Sequence, residues 1–133
     1  MAFHARDFGA ATKVDRGRMA YHAGLSAEAQ VARHYLDRGC TRLAERWRAG
    51  GGELDLVFEQ GGEIVFVEVK KSRCFDRALT SLSAAQVNRL FLTAEQFLGT
   101  QSRVSLTPSR FDVALVNDAG RVKIMENALA AGW

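Results

Sequence analysis

From Ser26 onward the apolar positions Val31, Ala32, Tyr35 and Leu36 recur at helical spacing, and Gly39 supplies a stop, so the pattern predicts a first helix. Thr41 to Trp47 alternates loosely and reads as a strand, closed by an Arg48-Ala-Gly-Gly-Gly turn. Leu54 to Phe58 and Ile64 to Val69 predict two further strands joined by Gln60-Gly61-Gly62, a hairpin composition. The latter strand is apolar on both faces, the mark of a central strand covered on two sides. Ser83, with Gln86 three residues later, forms a capping box, and Leu82 and Val87 are spaced as a hydrophobic staple. The stripe Val87, Leu90, Phe91, Ala94, Phe97 and Leu98 then predicts a second helix that stops at Gly99. Beyond a loop holding Pro108, Phe111 to Val116 and Val122 to Met125 predict two more strands about the turn Asn117 to Gly120. The order is helix, three strands, helix, two strands. The path from the central strand through helix two to Phe111 is long enough for a right-handed crossover into a parallel neighbour. The expected fold is therefore α/β, a mixed five-stranded sheet flanked by helices.

Residues 1–22 show no sustained periodicity and are expected to be a flexible leader before a single domain over 23–133. A length of 133 residues suits one compact domain and is short for two. No apolar run approaches the ~20 residues of a membrane helix, and the amino terminus lacks the features of a secretory signal. A cytoplasmic protein with no membrane partner is expected. Cys40 and Cys74 fall in no paired motif and read as free thiols. The net charge of +3 permits a polyanionic partner without identifying one. Basic residues gather at Lys13, Arg16 and Arg18, at Arg38, Arg42, Arg46 and Arg48, and at Lys70, Lys71, Arg73 and Arg77.

The charges inside the apolar pattern change the picture more. On strands whose side chains alternate, Glu53 and Asp55 share one face and Glu68 and Lys70 share one face of the next, so Asp55 and Glu68 can meet across the hairpin. Glu28 projects from the inward stripe of helix one. An unpaired buried carboxylate costs several kcal/mol, so these groups must neutralise one another or bind something. Oxygen ligands from two carboxylates suit Mg²⁺ or Mn²⁺, and a lysine beside such a metal can orient a water or hold developing negative charge. Taken alone, Glu68 and Lys70 are better explained as a structural ion pair, with Glu53 at an exposed strand start. Four inward charges together favour a site.

Asp55, twelve residues, then Glu68-Val69-Lys70 resembles the motif of the PD-(D/E)XK nuclease superfamily, an acid on one strand and acid-x-lysine on the next. The segments Gly24 to Glu28 with Ala32 and Tyr35-Leu36, Gly39, Arg46-Trp47-Arg48, Gly52 to Leu56, Phe66 to Lys70 with Arg73, Gln86 with Arg89-Leu90, and Arg110 to Val113 resemble, in order, the YraN-like group of small bacterial proteins. These are related in fold to archaeal Holliday-junction resolvases. The resemblance spans roughly residues 22 to 129 and implies a restriction-endonuclease-like core. It implies Asp55 and Glu68 as metal ligands, with the Val69 carbonyl as a third, Lys70 as the catalytic lysine, and Glu28 as the helix-one acid. Gln86 corresponds to a helix-two residue that approaches the site, although its capping position already gives it a structural role. Relatives often carry a lysine before Gln86 and Phe-Gly after the Lys-x-x-Arg segment. Ala85 and Phe75-Asp76 stand here, removing one phosphate contact and adding a negative charge.

The remaining polar residues read as ordinary. His4, His22 and His34 have no ligand spacing, Cys74 beside Arg73 reads as an incidental thiol, and Trp47 reads as a half-buried core residue. Arg110 and Asp112 flank Phe111 and read as an exposed ion pair or a turn contact. The expectation is a Mg²⁺- or Mn²⁺-dependent endonuclease hydrolysing phosphodiester bonds in DNA, at branched or structured sites, with Arg46, Arg48, Lys71, Arg73, Gln86 and Arg89 on the nucleic acid. By analogy with junction-cutting relatives, a homodimer is expected. The alternative is a non-catalytic nucleic-acid-binding module in a repair, recombination or uptake complex.

Overall fold

The computed structural model describes residues 26–71, 82–101 and 108–129. The expected leader, Arg73, Cys74 and Arg77 lie outside the described residues. Helix α1 covers 26–37, followed by strands β1 (Thr41–Ala49), β2 (Gly52–Gln60) and β3 (Glu63–Lys71), helix α2 (Ala84–Leu98), and strands β4 (Ser109–Val116) and β5 (Val122–Met125). The sheet order is β1-β2-β3-β4-β5. Neighbours joined by hairpins are antiparallel, whereas β3 and β4, joined through α2, are parallel, because a chain that leaves through a helix can re-enter the sheet in the same direction. This is the expected mixed α/β sheet, in the arrangement of a restriction-endonuclease-like core. Among the described residues no helix is long and apolar enough to cross a membrane.

The central strand shows why both faces had to be apolar. Ile64 and Phe66 pack with Val87, Leu90, Ala94 and Phe97 of α2, while Val65 and Val67 pack with Val31, Ala32 and Tyr35 of α1. The first layer is rich in aromatic contacts, including Phe66 edge-on to Phe97 at 5.9 Å and Trp47 edge-on to Phe97 at 5.3 Å. Helix α2 begins as its sequence requires: the Ser83 side chain accepts from the Gln86 amide at 3.1 Å, and the Gln86 side chain accepts from the Ser83 amide at 2.8 Å. Leu82 and Val87 are both buried in the same cluster, as a staple should be.

The helical stripes are narrower than the periodicity predicts. Leu36 and Phe91 are exposed rather than buried, because each lies at the edge of an arc whose centre already covers the sheet. Phe91 keeps one edge contact, to Phe111 at 5.7 Å.

Strands β1 and β2 also depart from strict alternation. Ala44 and Trp47 pack against the same layer as Leu54 and Val57, although each pair is three residues apart, while Leu56 and Phe58 face the other layer. One step of the side-chain alternation is therefore skipped in both strands. Glu45 pairs with Leu56 and Trp47 with Leu54, so the skipped step falls between Arg46 and Asp55. Arg46 has a left-handed φ of 45°, an uncommon conformation for a residue with a side chain. Such irregularities re-aim side chains near functional sites, and this one re-aims Asp55.

Asp112 corrects the sequence reading. It is completely buried rather than exposed, and every oxygen is occupied: the Tyr35 hydroxyl donates to Oδ2 at 2.7 Å, the Asn127 amide to Oδ1 at 2.9 Å, and Arg110 Nε to Oδ1 at 3.0 Å. Arg110 continues to Glu63 at 2.7 Å. The network ties α1 to β3, β4 and the turn after β5. A carboxylate between Phe111 and Val113 faces the α1 layer by alternation, and that was the available signal.

Candidate active site

The ladder between β2 and β3 runs from Gln60–Glu63 to Leu56–Val67 and stops there. Beyond that point β2 stays paired with β1 as far as Gly52, and β3 stays paired with β4 as far as Lys71. The sheet forks. Continuing the register by one residue would set Asp55 opposite Glu68, and these are the first residues inside the fork.

The fork leaves a strand amide to be satisfied, and Asp55 satisfies it. The Val69 N–H donates to Asp55 Oδ2 at 2.8 Å, fixing that carboxyl across the opening. Glu68, beside Asp55 in the fork, brings a second carboxyl near enough for the two negative charges to oppose each other. Lys70, two residues beyond Glu68 and on the same face, brings Nζ to 3.9 Å from Glu68 Oε2. Glu28 enters from α1 with its side chain only 18% exposed and accepts from Arg46 Nη1 at 3.4 Å. Glu53 pairs across the hairpin with Arg48, whose Nε lies 3.2 Å from Glu53 Oε2.

Electrostatics follow from this crowding. Burial, then the charge of Asp55, pushes the Glu68 carboxyl up to about 9, with Lys70 pulling in the other direction. Burial also raises Asp55, against hydrogen bonds from Glu68 and the Val69 amide that favour its ionised form. Glu28 is raised by burial and by Asp55, and Arg46 opposes the shift. The centre thus holds more negative charge than its environment accepts, and binds protons to compensate.

A cavity of about 160 Å³ opens beside Glu68, lined also by Gly52, Glu53, Gln86, Arg89 and Thr93. Gly52 is required there: a Cβ on it would stand 2.0 Å from Thr93 Oγ1. Thr93 is itself buried, its hydroxyl donating to the Arg89 carbonyl at 2.8 Å. Sequence reasoning treated Gly52 as turn material and passed over Thr93, a polar residue inside an apolar stripe.

Of the residues expected on chemical grounds, the structure brings together Glu28, Asp55, Glu68, Val69 and Lys70, with Gln86 and Arg89 along the adjoining cavity. Arg46 reaches the cluster through Glu28. Arg48 is 76% exposed at the hairpin end, and Lys71 is exposed at the end of β3. Among the described residues no three carboxylate, imidazole or thiol groups stand at the mutual spacing of a preformed metal centre. Asp55 and Glu68 nonetheless fit a hard divalent cation, which takes one or two carboxylates and fills its remaining positions with water and phosphate oxygens. A cation there would offset the crowded negative charge.

Comparison with known proteins places the chain among relatives of its own size. A family model described as uncharacterised protein family UPF0102 matches residues 27–116, which includes the whole fork. A UPF0102 protein of Roseobacter denitrificans is 53% identical over 120 residues, covering 90% of this chain and 93% of its own length. UPF0102 proteins of Cereibacter sphaeroides and Ruegeria pomeroyi are each 49% identical, over 86% and 88% of this chain and 98% and 95% of their own lengths. With a family model across most of its residues and near full-length relatives at about half identity, the chain belongs to the uncharacterised protein family UPF0102.

Proposed function

We propose that this protein is a metal-dependent nuclease that hydrolyses phosphodiester bonds in DNA. The observation that carries the reading is the fork between β2 and β3, where Asp55 accepts from the Val69 amide beside Glu68 and Lys70 stands next to them. Asp55 and Glu68 would hold Mg²⁺ or Mn²⁺, with the Val69 carbonyl as a further oxygen ligand and Glu28 acting from α1. A bound metal of this kind supplies Lewis acidity and a water of lowered pKa. Lys70 supplies a proton donor and positive charge next to the carboxyl pair, where charge develops on a phosphoryl oxygen. Gln86 and Arg89, along the cavity, orient the flanking phosphodiester, and Arg46, Arg48, Lys71 and Arg73 hold the backbone on either side. A homodimer would present two such centres for paired cuts.

A second reading has an observation in its favour: Asp55 is already engaged by the Val69 amide, and Glu68 by Lys70. On that reading the fold binds nucleic acid without cutting it. The test is cleavage of labelled single-stranded, duplex, flap and four-way-junction DNA with Mn²⁺, Mg²⁺ or EDTA, comparing wild type with Lys70→Ala. Metal-dependent cutting that falls by at least about 10²-fold in the variant is the expected result. Binding in EDTA with no cutting by either protein would favour the second reading.

A further inference from the structure

Resting on the metal reading above, we propose that Arg46 is a latch on the carboxylate centre: it holds Glu28 short of Asp55 in the free protein and releases it to the centre when a divalent cation binds. Glu28 lies on α1 with its side chain only 18% exposed, within electrostatic reach of Asp55 and Glu53. Yet among the described residues no three acids stand at the mutual spacing of a metal centre, so Glu28 stops short of Asp55 and Glu68. Arg46 is what engages it, with Nη1 3.4 Å from Glu28 Oε1. The backbone sets up that contact. Arg46 has its left-handed φ of 45° at the skipped step of β1, so the irregularity that re-aims Asp55 also carries the guanidinium beside Glu28. A residue with a side chain adopts that conformation at a cost, and such costs collect at functional sites.

The pair is weak enough to open. It is a single long contact rather than a short two-pronged one, and Arg46 is 37% exposed, so solvent screens it. Arg46 also has a second acid close by, with Nη2 4.0 Å from Glu45 Oε1, so letting go of Glu28 does not leave the guanidinium without a carboxylate. Glu28 has no such alternative. Without Arg46 it is a largely buried carboxylate facing the charges of Asp55 and Glu53, and only another cation relieves that. Release of Glu28 and arrival of a divalent cation are therefore linked, each favouring the other. A purely structural pair, tying α1 to β1, would carry no such linkage.

The test is Mn²⁺ binding by isothermal titration calorimetry on the full chain without nucleic acid, so that no cleavage enters the readout. Wild type is compared with R46G, E28Q, R46G/E28Q and D55N, and thermal melts in EDTA check that each variant folds. Glycine is chosen at position 46 because it takes a positive φ without strain. R46G should bind Mn²⁺ roughly two- to fivefold more tightly, the range over which a partly exposed ion pair competes. E28Q should bind more weakly than wild type, and in the E28Q background the gain from R46G should fall by at least about half, because nothing is left to release. R46K keeps the charge and should stay within about twofold of wild type. An unchanged Mn²⁺ affinity in R46G would overturn the latch, leaving a structural pair. So would an equal gain from R46G with and without Glu28, the mark of simple repulsion between guanidinium and cation. Binding that is lost in D55N but indifferent to R46G and E28Q strikes the latch alone and leaves the nuclease reading standing. Wild-type binding that is absent, or that survives D55N, removes both.

Discussion

The fork buries the Glu68 carboxyl beside that of Asp55, and burial together with their mutual repulsion favours the protonated form of Glu68. For Glu68 the folded value is about 9, against 4.5 for the free side chain. The folded state therefore binds more protons than the unfolded chain across that interval, and stability falls as pH rises through it, levelling off above the folded value. In EDTA, urea titrations of wild type between pH 5 and 9 should show this decline. Glu68→Gln should flatten it and gain roughly 1–3 kcal/mol at pH 8. An equal slope in both proteins would show that Glu68 does not carry the raised value.

Asp112 is the opposite case, a buried carboxylate whose partners were all supplied. Asp112→Ala strands a hydroxyl, an amide and a guanidinium, and should cost about 3–5 kcal/mol. Tyr35→Phe removes one donor to the same carboxylate and should cost about 1.5–3 kcal/mol by chemical denaturation. A cost for Asp112→Ala no larger than that for Tyr35→Phe would mean that the network is not held together by its carboxylate.

Among the elements, the meeting of β2 with α2 sets the dimensions of the cavity beside Glu68. The approach is close because Gly52 has no side chain, and Thr93 occupies the space one would need. Gly52→Ala must push back a buried β-branched residue, so a loss of about 1–3 kcal/mol is expected. Thr93→Ala in the same chain removes the nearer obstacle, so the double variant should be less unstable than the sum of the singles by at least about 0.5 kcal/mol. Simple additivity in denaturant melts would sink this explanation.

Helix α2 was the most legible element, because a capping box, a staple and a periodic stripe all act within a few residues of one another. The edges of its stripe were not: Phe91 matches the period yet faces outward, since periodicity gives a direction and only the neighbouring layer decides how wide the covered arc is.

At the scale of the molecule, the fork is the feature that a divalent cation would change. With Mn²⁺ in hundredfold excess over its dissociation constant, the folded state should gain about 2.7 kcal/mol, visible as a rise in melting temperature. Asp55→Asn should abolish that gain while leaving the protein folded. A shift that survives the substitution would place the cation elsewhere.

Element order, the two-sided burial of β3, the parallel return through α2 and the pairing of Glu68 with Lys70 were all present in the chain as written. Each arises from interactions within a turn, a helix or a strand, or from the simple need of a central strand for cover on two faces. Tertiary structure alone decided the rest. Tyr35 reaches Asp112 across 77 positions of sequence, the alternation slips where Arg46 meets Asp55, and the β2–β3 ladder ends one residue before the carboxyls. No local pattern encodes these, because each is settled by which distant surfaces the packed sheet brings together and how much backbone it leaves to be satisfied.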